Sequence, residues 1–69
     1  MKMYFNIKRI RDEREINLRD LEKLSGISKS QISRIENNLS DPKLSVIVKI
    51  ANALNVKLSE LVTIKKIDK

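Results

Sequence analysis

The stretch NLRDLEKLSGISKSQISRIENN, residues 17–38, decides the fold, because it spells two short helices with almost no chain between them. Asn17 and Asp20 have the spacing of an N-cap and a supporting acid at the third helical position, and Leu18, Leu21 and Leu24 follow at helical spacing. Gly26 supplies the left-handed residue that closes such a helix, and Ile27 just after it is placed to fold back on Leu21. Ser28 and Gln31 then make an S-x-x-Q capping box, so the next helix starts about two residues after the previous one ends. The layout is helix, tight glycine turn, helix.

Advancing about 100° per residue from Lys29 puts Ser33 near 40°, Asn37 near 80°, Ser30 near 100° and Arg34 near 140°, with Ile35 and Ile32 on the opposite side near 240° and 300°. The polar face carries one Lys, one Arg, two Ser and one Asn, and no acid. Asn38 is the expected left-handed terminator, since Asn best replaces glycine in that conformation.

Upstream, Ile7 and Ile10 form the apolar stripe of a charged first helix expected to end near Glu15. Downstream, Ser40, Asp41 and Pro42 restart the chain, and Leu44, Ile47, Ile50, Ala51 and Leu54 make the stripe of a fourth helix. Val56, Leu58, Leu61 and Val62 belong to a short fifth. The predicted class is all-α, one compact five-helix bundle in a single domain, 1–69. Its core is 7–62, and its tail, 63–69, is either disordered or a strand pairing with residues 1–5.

Composition narrows the function. Sixty-nine residues leave room for one small core and no large substrate cavity. With no cysteine and no histidine, thiolate and imidazole metal sites are excluded and the commonest general base is missing; no cofactor is expected. The carboxylates Asp12, Glu13 and Glu15 lie among arginines on a predicted solvent face, without a nucleophile and base, so an enzyme is not expected. Neither a signal-peptide pattern nor an apolar run of about 18 residues is present, and a cytoplasmic location is the expectation. Fifteen Lys and Arg against nine Asp and Glu give a net charge of +6 and favour an anionic partner. Tyr4 and Phe5 are the only aromatics, too few for the base-stacking platforms of single-strand binders, which makes duplex DNA the leading candidate.

Residues 7–62 resemble the five-helix domain of phage repressors, Cro proteins and many small bacterial transcriptional regulators. The resemblance is carried by Arg11, Leu21, Gly26, Ile32, Ile35, Glu36, Asn37, Pro42 and the run Lys49-Ile50-Ala51-Asn52-Ala53-Leu54-Asn55-Val56. It implies that the third helix enters the major groove while the second rests its N-terminus on a phosphate. Transferred residue by residue, Lys29, Ser30, Ser33 and Arg34 would read bases, with Arg34 able to offer a fork to guanine. Asn17 and the amides of Leu18 and Arg19 would hold one phosphate, and Lys43 with Asn38 the next; Ser28 and Asn37 complete the phosphate set. Lys8 and Arg9 are lesser candidates. For the basic residues the alternative is a solvated helix face, and for Ser28 the capping role alone suffices.

The resemblance makes Arg11 and Glu36 a structural ion pair and not DNA ligands. It also marks departures: Glu22 stands where alanine is usual between the two helices, Glu15 replaces a common glycine, and Lys43 and Lys57 replace capping Ser or Thr. Asp41 is then left to cap the fourth helix. The implied function is that of a dimeric repressor on an operator, its homodimer interface drawn from Leu58, Leu61, Val62, Ile64 and Ile67. The alternative is an antitoxin paired with a toxin, or a restriction-modification controller, using the same domain. A protein-only interaction module would show a broad apolar patch where the third helix is polar, and a membrane-surface helix would need a long apolar face that no segment has.

Overall fold

The computed structural model describes residues 2–65; the expectations placed on Met1, and on Ile67 within 66–69, fall outside the described residues. The order is β1 (Lys2–Phe5), α1 (Ile7–Glu13), α2 (Leu18–Ser25), α3 (Lys29–Glu36), α4 (Leu44–Leu54), α5 (Leu58–Leu61) and β2 (Val62–Lys65). The five helices and the terminal pairing match the sequence reading.

Three helices end in the same way. Glu15, Asn38 and Asn55 each take a positive φ, of 55°, 58° and 58°. The residue after each bonds back to the carbonyl five positions earlier: Ile16 to Arg11 at 2.9 Å, Leu39 to Arg34 at 2.8 Å and Val56 to Ala51 at 3.0 Å. These bonds occupy carbonyls that a helix end leaves without partners. The first helix therefore stops at Glu13, two residues short of the expected end, and Glu15 supplies the left-handed turn without the glycine that would favour it.

Inside, Ile7, Leu21, Ile32, Ile35, Ile50, Leu54 and Leu61 are fully buried, so every helix contributes to one core, and α2 packs on both α3 and α4. Truncating any one of them to alanine costs about 2–5 kcal/mol. Two residues of the predicted apolar stripes stay outside: Leu24, in the last turn of α2, is 60% exposed, and Leu44, the first residue of α4, 70%. Asp41 does not cap α4; Lys43 occupies the cap position without a side-chain bond. The fifth helix has the support the sequence did not reveal, since Glu60 Oε1 accepts the N–H of Lys57 at 3.0 Å. Val62 leaves that helix and opens β2.

The two strands pair antiparallel, Met3 opposite Ile64 and Phe5 opposite Val62. Asn6 fixes the junction: its N–H donates to the Leu61 carbonyl at 2.8 Å, and its Nδ2 donates to the Glu60 carbonyl at 3.1 Å and to Thr63 Oγ1 at 2.9 Å. At the other side of the core, Arg11 lies almost buried and pairs with Glu36, tying α1 to the end of α3.

Candidate nucleic-acid interface

The site is built on the α2–α3 joint. Asn17 has extended backbone and its Oδ1 accepts the Asp20 N–H at 2.8 Å, so the second helix begins as the sequence predicts, with Leu18 and Arg19 providing its first amides. Those amides have no carbonyl four residues back within the helix, and the helix dipole adds positive potential there. Gly26 closes the helix at φ 76°, its N–H on the Glu22 carbonyl at 2.9 Å. The Ser25 hydroxyl donates to the Leu21 carbonyl at 2.7 Å and accepts the Ile27 N–H at 3.1 Å, which leaves Ile27 pointing into the core. Ser28 then caps α3 by accepting the Gln31 N–H at 3.2 Å.

Ile32 and Ile35 turn inward from α3, and Lys29, Ser30 and Arg34 face solvent, with Ser33 partly covered. Leu18, Lys29, Ser30 and Ser33 line one open hollow. The N-terminus of α2 and the start of the α3 polar face, which the sequence could place only separately, are thus brought side by side. Electrostatically, an anion in that hollow meets the Lys29 ammonium and the start of the α2 dipole.

Arg34 lies farther along α3, and its Nη2 donates to the Leu39 carbonyl at 3.3 Å, so one edge of the guanidinium is held by the loop that follows the helix. Asn37 Nδ2 donates to the Ser33 carbonyl at 2.9 Å, and Asn38 is committed to the left-handed turn. Lys43 is exposed at the start of α4. Lys8 and Arg9 are engaged instead with Asp12 and Glu13, at 3.4 and 3.2 Å, on an exposed face of α1.

One residue of the joint was missed. Glu22, which stands where alanine is usual, has a bond of its own across the turn, its Oε2 accepting the Lys29 N–H at 3.2 Å. The spacing of seven between the two residues was visible, but pairing across a turn depends on the turn angle, which spacing does not give.

A second surface lies at the strand end. Met3, Phe5, Pro42, Leu44, Ile47, Leu58, Val62 and Ile64 line an apolar groove, in which Met3, Leu44, Leu58 and Ile64 are exposed. Of the residues expected at an interface, Leu58, Val62 and Ile64 border this groove, whereas Leu61 is fully buried in the chain's own core and is corrected to a packing residue. Met3 and Leu44 also line the groove, the first from the terminal strand β1 and the second from the start of α4.

The helix-turn-helix family profile matches residues 7–61. The HTH-type transcriptional regulator SutR of Escherichia coli is 35% identical over 57 residues, which are 83% of this chain and 32% of SutR, so the chain spans about a third of that relative's length. Among solved structures, a proposed DNA-binding protein from Bacteroides fragilis is similar with a TM-score of 0.79 at 35% identity, over 90% of this chain and all of that one.

Proposed function

The chain belongs to the helix-turn-helix family of the phage repressor and Cro type, and from that premise we propose that it is a transcriptional regulator that binds duplex operator DNA as a homodimer and represses. The observation that carries the reading is the hollow where the first turn of α2 meets Lys29, Ser30 and Ser33. A phosphate seated on Asn17 and the amides of Leu18 and Arg19 places the polar face of α3 toward the base edges in the major groove. Lys29 and Arg34 then reach guanine O6 and N7, and Ser30 and Ser33 reach either bases or the backbone. Lys43, with Asn38 beside it, takes the following phosphate, and Ser28 and Asn37 border the two.

Dimerisation follows from the length of the reading helix, since one such helix spans only a few base pairs and two half-sites about one turn apart supply the remaining affinity. The apolar groove between the strands, α4 and α5 is the surface for the second copy, with Leu58, Val62 and Ile64 among the residues that line it. The net charge of +6 supports the nucleic-acid partner. The test is selection from a random duplex library followed by anisotropy titration. Enrichment of a two-fold symmetric sequence supports the proposal, and equal binding to all duplexes refutes it.

A further inference from the structure

We infer that Glu22 is a positioning residue for sequence reading: by accepting the Lys29 N–H, its carboxylate fixes where α3 begins against α2 and thereby sets how sharply the chain discriminates between DNA sequences. This rests on the DNA-reading role proposed above.

Within the joint the Ile27 N–H bonds back to the Ser25 hydroxyl at 3.1 Å, a contact that stays on the α2 side and ends before α3 begins at Lys29. A Cβ added at Gly26 would meet nothing within 4 Å, so the glycine itself is not wedged between the two helices. Leu21, Ile27 and Ile32 pack the two helices together and set their approximate crossing angle, which leaves the fine placement of the first turn of α3 to the contacts at its end. A hydrogen bond is directional. Glu22 brackets the turn from both ends, its carbonyl taking the Gly26 N–H at 2.9 Å and its carboxylate the Lys29 N–H at 3.2 Å. The residue it holds is the first of α3, and the next, Ser30, belongs to the same hollow. Freedom at this bond is therefore freedom of the base-reading groups, whose contacts require placement within about 0.5 Å. Because the carboxylate holds a backbone group, it acts through Lys29 and needs no contact with DNA.

The experiment compares wild type, Glu22→Gln and Glu22→Ala on the duplex that wild type selects and on a scrambled duplex. Glutamine keeps the length and an acceptor oxygen without the charge, while alanine removes the acceptor. The expected result is a preferred-to-scrambled affinity ratio reduced about tenfold in the alanine variant and restored to within about twofold by glutamine. Removal of a negative charge alone strengthens both duplexes together in both variants and leaves the ratio intact. Hydrogen exchange at the Lys29 amide gives a readout independent of DNA, faster in Glu22→Ala and near wild type in Glu22→Gln. An unchanged ratio in the alanine variant, or equal loss in both variants, overturns the inference while the DNA-reading role stands. A wild type without any preferred duplex overturns that role and the inference together.

Discussion

Arg11 and Glu36 meet at two points, Nε to Oε2 at 2.8 Å and Nη2 to Oε1 at 3.3 Å, with the side chains only 10% and 7% exposed. The remaining guanidinium nitrogen, Nη1, donates to the Ile16 carbonyl at 3.0 Å, so each nitrogen of the buried cation has an acceptor and the side chain also closes the α1–α2 connection. An exposed pair of this kind contributes about 0–1 kcal/mol, but here loss of one partner strands a charge out of water.

Arg11→Ala or Glu36→Ala is accordingly expected to lower stability by about 3–5 kcal/mol, a large share of the total for a domain this small. The double change Arg11→Met with Glu36→Leu should recover most of the loss, since an apolar pair leaves no uncompensated charge. Urea denaturation of the three variants checks this. A single variant within about 1 kcal/mol of wild type would show the pair to be solvated.

Glu15 and Gly26 both adopt the left-handed conformation, with opposite chemistry. Glu15→Gly should raise stability by up to about 1 kcal/mol by relieving the strain of a side chain at φ 55°. Gly26→Ala should lower it by about 1–2 kcal/mol even though the new methyl has open space, because the cost lies in the backbone and not in a clash. Thermal melts that move in the same direction for both would contradict this.

These residues also show how far the sequence was legible. Local rules sufficed around the α2–α3 joint: Asn17 and Ser28 are the caps their spacing predicts, Gly26 and Asn38 are left-handed, and Ile32 and Ile35 face inward, whereas at α4 and α5 Asp41 does not cap and the Glu60 bond to the Lys57 N–H was not foreseen. Errors arise at element ends, as at Leu24 and Leu44, or where a helix gives way to a strand, as at Val62. Interactions across turns were hidden altogether. Glu22 and Lys29 are far apart on any periodic reading, and the Arg34 bond to the Leu39 carbonyl depends on how the loop after α3 folds back.

The groove at the strand end should mediate self-association. Leu58→Arg with Ile64→Arg changes side chains that are 40% and 59% exposed, so the monomer should keep its helical spectrum while sedimentation shifts from dimer to monomer and operator affinity falls sharply. Leu61→Arg is the contrast, because a cation forced into the core should unfold the chain. An operator-bound species that remains monomeric in wild type would refute the assignment.

Binding should be strongly salt-dependent. A dimer that neutralises roughly 6–10 phosphates should lose about 10³–10⁵ in affinity between 50 and 200 mM salt. Anisotropy titrations across that range give the slope directly, and a flat response would exclude duplex DNA as the principal partner.

Arg34 and Lys43 are assigned different work, and their alanine variants should separate accordingly. Arg34 stands on the polar face of α3 with one nitrogen on the Leu39 carbonyl, which orients the guanidinium and leaves its other donors available for the proposed guanine contact. Arg34→Ala should weaken operator binding by about 1–3 kcal/mol and relax preference at one base position in each half-site, with little change on random duplex. Lys43, exposed at the head of α4, lacks a side-chain cap bond, and the proposal gives it a backbone phosphate. Lys43→Ala should weaken operator and random duplex together and reduce the salt slope by about one for each phosphate left without its lysine, with sequence preference preserved. Both positions are exposed, so circular dichroism should match wild type and exclude unfolding as the cause. If a panel of single-base operator variants ranks the two proteins alike, Arg34 does not read a base, and specificity must come from Lys29, Ser30 and Ser33 at the other end of the helix.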